Sequence, residues 1–491
     1  MLSIFFVPAL PGYEMHYPKI IAESGKNGDW KTCHTFEDVV KQYPHRVQFL
    51  FDRLALNTEG LSHVRSALDD SDTVKACAEL LNYFKTNHAG SEYRQTGGDY
   101  SGDIVDKVMD DILPASGDWF KIPRLKDGGL NWSYEGPPEY TNNQMHQINR
   151  FGWMDDLLFA GLDDRNESLV KLDEYLRDWC VHADEHQRFD PSARGSELDA
   201  GIRMKRKALP VTFYSFLSAP QFQDATKILM LEAIARHGPY LRHHHSDYGN
   251  TKTTMLLGLL IFSDAFPEFK NSEEYIAYVN NVVIEELRNS FYVKEGVQKE
   301  LAQGYHKIVV EDLEHYRELF ERNGVLMDDL FNPLILKGWE YIALTTKPNG
   351  HRLILNDASD GSFEKDVVQK AKFYDRPEWL YIFSNGAQGV RPEQGPSVMY
   401  AWSGRMVSRD SWDADTRWSV FDMGPHGIGH QHNDKLHVSI FAHGRDLLTD
   451  AGKYTYRSIN DRSPRDWRGY FKRSWSHNVI LVNHKSQNDE V

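Results

Sequence analysis

The sequence predicts an α+β multidomain fold, with a helical domain over residues 1–355 and a mostly β domain over residues 356–491. Three observations carry this. Apolar residues recur at helical spacing from about Thr35 to Leu344. The chain then becomes polar and turn-rich at Asn356-Asp357-Ala358-Ser359-Asp360-Gly361-Ser362. Short aromatic and β-branched runs follow. A length of 491 residues suits two or three units, at about 100–200 residues per domain.

Within the helical region, Ile228, Leu231, Ile234 and Ala235 share one face, as do Ile276, Val279, Val283 and Leu287. Gly249-Asn250 opens an apolar helix directly behind His243-His244-His245. Phe266-Pro267-Glu268-Phe269 ends that helix, and Ser272 ahead of Glu273 and Glu274 reads as the N-cap of the next. Gly304-Tyr305-His306 enters a helix that runs through Val309 and Leu313. Repeated helix pairs of this kind suit a toroid or a bundle, and no fixed-period repeat is visible. Strand-like runs lie at Leu380–Phe383, Val398–Trp402, Arg417–Phe421, Leu436–Phe441 and Val479–Val482, which suits a sandwich. Val491 follows shortly after the last run, so the β domain is expected to be incomplete in this chain.

A net charge of −15 argues against a general nucleic-acid binder, because phosphate binding needs a concentrated cationic face. One loop departs from that balance: Arg457, Arg462, Arg465, Arg468, Lys472 and Arg473 face only Asp461 and Asp466, so a polyanion could dock there. Cys33, Cys77 and Cys180 are widely spaced and odd in number, which indicates neither a disulfide framework nor a cysteine zinc site. The apolar start Met1–Leu10 lacks a basic n-region and is a poor signal peptide. Membrane insertion is not expected, since the best apolar run, Met255 to Phe262, falls far short of the ~20 residues of a membrane span. Twelve Trp, 24 Tyr and 25 Phe fit carbohydrate stacking as well as core packing.

Four residues of the β region stand out: His430, His432, Asp450 and His477. In an extended strand His430 and His432 point to the same side. His432, Asp450 and His477 make a chemically sensible His₂Asp set for Zn²⁺. Spacing alone balances that set against exposed strand histidines and an unrelated turn aspartate.

Taken in order, several segments resemble the heparinase II/III-like polysaccharide lyases, a family that includes heparin, heparan sulfate and alginate lyases. They are Asn142 to Trp153, Gly249-Asn250 with Phe266-Pro267-Glu268-Phe269-Lys270, Glu300 to His306, His430-Gln431-His432, Asp450-Ala451-Gly452 and His477-Asn478. The resemblance runs from about Trp132 to the C-terminus. It implies an α/α toroid followed by an antiparallel β-sandwich, a periplasmic or secreted location, and an anionic polysaccharide as partner.

By that resemblance His430 is similar to the catalytic histidine, Tyr305 to the catalytic tyrosine, and Asn250 to the residue that neutralises the substrate carboxylate, while His432, Asp450 and His477 match zinc ligands. Thr251 departs from the pattern, since members often carry His directly after that Asn. Elimination across C4–C5 of a uronic acid needs the carboxylate's charge offset, a base for the C5 proton and an acid for the leaving oxygen. Tyr305 is expected as acid and also as a base, and His430 as base for one C5 epimer. Gln144, His146, Asn149 and Arg150 could line a substrate cleft. Tyr456 and Tyr470 flank the basic loop and, with Arg473, could assist with substrate. Zinc is expected to be structural. Asp199 and Arg203 read as a structural ion pair. A glycosaminoglycan is favoured over alginate. The competing readings are a toroidal glycoside hydrolase using carboxylates among Glu300, Asp199 and Asp434, and a non-catalytic glycan-binding protein.

Overall fold

The structure is a computed structural model, and it describes residues 28–137, 140, 145–182, 196–205, 208–456 and 466–488. The apolar start Met1–Leu10 therefore lies outside the described residues.

The helix Asp224–His243 lies at the centre of the helical part. Ile228, Leu231, Ile234 and Ala235 form the expected apolar face, but every residue from Ala225 to Leu241 is buried. The opposite face is therefore enclosed too. Its charges are paired internally: Glu232 accepts from Arg46 (3.2 Å) and also pairs with Arg236 one turn on, because a buried carboxylate without a partner is prohibitive.

The neighbouring helix Gly249–Ala265 packs against Ser196–Lys205 at backbone distance. A β-carbon on Gly258 would lie 2.7 Å from the Gly201 carbonyl oxygen, and one on Gly201 2.8 Å from Met255 Cα. Ser272 is not the N-cap. It is the first residue of the helix Ser272–Ser290, with Asn271 in the left-handed region as its cap. The Ser272 hydroxyl instead donates back to the carbonyls of Phe266 and Phe269, tying down the Pro-containing break.

The polar stretch after Leu355 does not end the helices. Glu364–Phe373 and Pro377–Phe383 follow and pack on Phe331–Thr345. The strand expected at Leu380–Phe383 is thus helical: a short apolar run does not distinguish the two periods, and Pro377 in the first turn favours helix. The division expected at residue 355 is not a clean one, since Leu353 and Leu355 pack under the sheet with Val407, Trp418, Val420 and Phe441.

Two short hairpins lie in the helical part, β1 (Ile112–Ala115) with β2 (Asp118–Lys121) and β3 (Phe291–Tyr292) with β4 (Val297–Gln298). The main sheet is antiparallel in the order β5 (Val398–Tyr400), β6 (Arg405–Arg409), β7 (Trp418–Asp422), β8 (His437–Ala442), β9 (Arg445–Leu448). Alternation sends Val407 and Val420 inward, while the register row Met399, Met406, Phe421, Val438 faces out, with Met399 53% and Met406 41% exposed. The strand expected at Val479–Val482 is absent; there Val482 makes one bridge to Lys485.

Two of the contacts that fix the sheet to the helices lie near the turn carrying Leu301. Glu295, in the β3–β4 turn, accepts from the backbone N–H groups of Trp402 and Ser403 at 2.6 and 2.9 Å. Arg405, fully buried, pairs with Asp422 and donates to the Leu301 carbonyl at 3.3 Å.

Gly258→Ala tests the helix contact. Helix propensity favours Ala over Gly by about 1 kcal/mol, whereas overpacking against Gly201 costs about 1–3 kcal/mol. Net destabilisation in urea unfolding is expected, and a stabilised variant would contradict the close approach.

Candidate active site

Gly249 takes φ +78°, and a β-carbon there would lie 2.5 Å from Glu300 Oε1, so both backbone and space require glycine. The turn aims Asn250 at Glu300. The Asn250 backbone N–H donates to Oε1 at 2.8 Å, and its side-chain amide reaches Oε1 and Oε2 at 2.8 and 2.7 Å. Burial pushes the Glu300 carboxyl above its ordinary range, opposed by His430 and by these donors.

The segment carrying Glu300 is gripped from the C-terminal part. The Gln431 amide donates to the Glu300 carbonyl at 2.6 Å, Ile428 N–H to the Lys299 carbonyl at 2.9 Å, and the Asn356 amide, like Arg405, to the Leu301 carbonyl. Leu301, Asn356 and His430 all adopt left-handed φ, at +56°, +55° and +51°. Strained non-glycine residues of this kind persist only when their surroundings over-determine them.

His430 and His432 are not on a strand. Met423 to Leu436 is loop between β7 and β8. The two histidines nevertheless converge, on Asp357. His430 Nδ1 lies 2.8 Å from Asp357 Oδ2, and His432 Nε2 lies 2.8 Å from Oδ1. Arg468 adds a two-pronged contact, to Oδ1 at 2.6 Å and Oδ2 at 2.7 Å, and the Tyr456 hydroxyl donates to Oδ2 at 3.0 Å. Burial alone would raise the Asp357 pKa, but hydrogen bonds from His430, His432 and Arg468 hold it far below the usual carboxylate range. An ionised carboxylate only accepts, so the two ring nitrogens facing it carry protons. In the neutral imidazole His430 Nε2 then keeps its lone pair, 3.5 Å from the Asn250 amide and 3.9 Å from Glu300 Oε2.

Tyr305, early on the helix Gln303–Arg322, stacks on the His430 ring with centroids 3.8 Å apart and an interplanar angle of 16°. Its hydroxyl is 2.6 Å from that of Tyr456. Since Tyr456 spends its single proton on Asp357, Tyr305 is the donor in that pair. Burial pushes the Tyr305 hydroxyl up to about 12.

Beside this lies the expected metal set. The ligand atoms of His432, Asp450 and His477 all fall within 4.8 Å of one another, and all three residues are buried. His432 Nδ1 and His477 Nε2 are buried without a hydrogen-bond partner. Two imidazoles and a carboxylate with orphaned nitrogens are the donor set that zinc takes, so the residues fit such an ion. When bound it supplies a fixed positive charge joining three loop segments. His432 then uses its two nitrogens on two sides, one on Asp357 and one on the metal pocket.

The remaining expected residues divide. Tyr456 is brought into the site. Tyr470 is exposed and packs on Trp467 and Phe471, and the Arg473 guanidinium lies 5.4 Å over Trp475, so neither touches the cluster. Gln144 and the basic-loop residues Arg457, Arg462 and Arg465 lie outside the described residues. Asn149 is buried, its amide donating to the Trp132 carbonyl and accepting from the Trp179 indole. Arg150 pairs directly with Asp199 at 2.5 Å, while Arg203 interacts with the Asp199 charge and donates to the Asn149 carbonyl and to His237. His146 keeps a buried, unpartnered Nδ1 beside that network. Sequence reasoning missed Asp357 and the bridging role of Glu300. The signal available for Asp357 was slight, one acidic residue in a run that reads as a turn.

Two family models match the chain, "Heparinase II/III N-terminus" over residues 50–386 and "Heparinase II/III-like, C-terminal" over residues 403–491. A heparin-sulfate lyase of Pedobacter heparinus is 22% identical, covering 89% of this chain and 68% of its own length. One from Bacteroides thetaiotaomicron is also 22% identical, covering 88% of this chain and 66% of its own length. The chain thus spans about two thirds of these relatives. A crystal structure of heparinase III superposes with a TM-score of 0.75 at 19% identity, over 89% of this chain and 71% of that one.

The orphaned nitrogens carry a prediction. Zn²⁺ added to metal-free protein at 100 times its dissociation constant should raise the unfolding free energy by about 2.7 kcal/mol. His477→Ala should abolish that increment. Equal zinc-induced stabilisation of the variant and the wild type would exclude this site.

Proposed function

The chain belongs to the heparinase II/III family, and we propose that it is a polysaccharide lyase cleaving a uronic-acid-containing glycosaminoglycan, such as heparan sulfate, by β-elimination. The observation that carries this reading is the convergence of Asn250, Tyr305 and His430, which are distant in sequence, with the His430 Nε2 lone pair turned toward the Asn250 amide.

The Asn250 amide, held by Glu300 in the free site, turns to the uronate carboxylate when substrate binds and offsets its charge, which makes the C5 proton removable. His430 takes that proton on Nε2, and Asp357, ionised beside Nδ1, stabilises the imidazolium that results. Tyr305, with its pKa pushed up to about 12, stays protonated at neutral pH and gives its proton to the departing glycosidic oxygen. The C5–H and C4–O bonds break, a C4–C5 double bond forms, and the new chain end receives the phenolic proton. Tyr456, 2.6 Å from the Tyr305 hydroxyl and 3.0 Å from Asp357 Oδ2, holds the Tyr305 oxygen in place, and after product leaves His430 Nε2 gives its proton to solvent while Tyr305 regains one from it. The raised pKa favours Tyr305 as acid over the base role also expected of it.

His432, Asp450 and His477 hold zinc in a structural role in this reading. Of the other substrate contacts, His146 and Arg150 stand one step back. Arg150 is tied to Asp199, just before Gly201, which packs beside Gly258, about 12 Å along the helix from Asn250. The helices make up an α/α toroid in this reading. The sheet is one layer of an antiparallel sandwich, for which the exposed Met399 and Met406 provide a face. A periplasmic or secreted location accompanies the reading, and no helix among the described residues is long and apolar enough to cross a membrane. A hydrolase would need paired carboxylates. Glu300 is held by Asn250, Asp199 by Arg150, and Asp434 is buried near Asp450 and His477.

Purified protein given heparan sulfate, chondroitin sulfate, hyaluronan and alginate should develop the ultraviolet absorbance of a conjugated uronate on a glycosaminoglycan. New reducing ends without that absorbance would mean hydrolysis instead. Tyr305→Phe and His430→Ala should each lower kcat by about 10²–10⁴-fold; wild-type elimination rates in both would reject the assignment. If Tyr305 is the acid, wild-type kcat should show no loss from tyrosine ionisation as pH rises to 10, since that loss reaches its midpoint only at about 12.

A further inference from the structure

We propose that Asp357 is a positioning residue that couples the metal pocket to His430. Each of its oxygens holds one imidazole, Oδ2 that of His430 and Oδ1 that of His432, both at 2.8 Å. The carboxylate is fully enclosed, so neither contact is replaceable by bulk water. Further contacts fix its plane: Arg468 grips both oxygens from the far side, and the Asp357 backbone N–H donates to the His430 carbonyl at 3.2 Å. The neighbouring Asn356 side chain accepts from the His432 N–H at 2.9 Å. A rigid plane with one ring on each edge transmits orientation: a metal that fixes His432 also fixes Asp357, and through it the direction of His430 Nε2.

His430 is not itself available to the metal. Its Nδ1 is used on Asp357 and its Nε2 faces Asn250. Coupling between binding events is reciprocal. Changes at His430 must therefore alter metal affinity, and must do so only while Asp357 bridges the two rings.

Asparagine at 357 keeps the shape but presents an N–H₂ group to one of two ring N–H donors, which breaks the bridge. Zn²⁺ affinity, measured by competition with a chromophoric chelator, should fall about 10–100-fold in Asp357→Asn, the usual cost of losing such a partner. His430→Ala should shift zinc affinity at least threefold in the wild-type background and leave it unchanged in the Asp357→Asn background. Unchanged affinity in Asp357→Asn, or effects of the two substitutions that simply add, would overturn the proposal. Should Asp357→Asn fail to fold, Arg468→Gln, which loosens the carboxylate without touching either imidazole, should weaken zinc in the same direction; no change there would equally overturn it.

The catalytic half of the proposal rests on the lyase reading: Asp357→Asn should lower kcat with KM within about twofold, because orientation of the base is lost and substrate contacts are kept. The zinc measurements need no glycan. A wild-type protein that produces no conjugated uronate therefore removes the lyase reading while the coupling stands or falls on its own cycle.

Discussion

The buried negative charge of Asp357 is the constraint on which the site depends. An isolated carboxylate at that depth would cost several kcal/mol, and the sequence around it offers no local partner: its side-chain contacts come from His430, His432, Tyr456 and Arg468. Ionising it therefore obliges three separate segments to meet. The same contacts decide the tautomers of both histidines, so chemistry and assembly follow from one electrostatic requirement. The left-handed backbone at Leu301, Asn356 and His430 is held by the same knot, since each of these residues bonds to another segment of the site.

The site belongs to neither half of the chain alone. Asn250 and Tyr305 come from helices and Glu300 from the turn between β4 and the helix that carries Tyr305, while His430, Asp357 and Tyr456 come from loops around the sheet. Arg405 and Glu295 keep these in register, the first through the Leu301 carbonyl and the second through the β5–β6 turn. Breaking a buried pair such as Arg405 with Asp422 by removing one partner typically costs about 3–5 kcal/mol. It would also release the segment that carries Glu300.

What the sequence revealed follows from what its patterns encode. Residue chemistry survived the passage to three dimensions: His432, Asp450 and His477 do gather, and Asn250 and Tyr305 both reach His430. Periodicity did less well where tertiary contacts override it. His430 and His432 read as alternate strand residues, yet they share a direction because one carboxylate lies between them. Leu380–Phe383 satisfies strand and helix templates alike, and Pro377 decides it. Asp357 was hidden because Asn-Asp-Ala-Ser-Asp-Gly has the composition of any solvated turn, and its burial depends on donors that lie far away along the chain. Asn149 and Arg150 show the converse, polar side chains of suitable type whose partners turned out to be internal.

The bond lengths say little about sequence distance, but sequence distance bears on how the protein is made. His430 meets Asn250 across 180 residues, and Arg468 meets Asp357 across 111. Loop-closure entropy of that size is recovered only after local structure has formed, so contacts of this span are established late in folding. During synthesis the helices Asp224–His243 and Gly249–Ala265 leave the ribosome long before Arg468 exists. A nascent chain can therefore be extensively helical while Asp357 still waits for the cation that lets it be buried, and the site becomes possible only once Arg468 has been made.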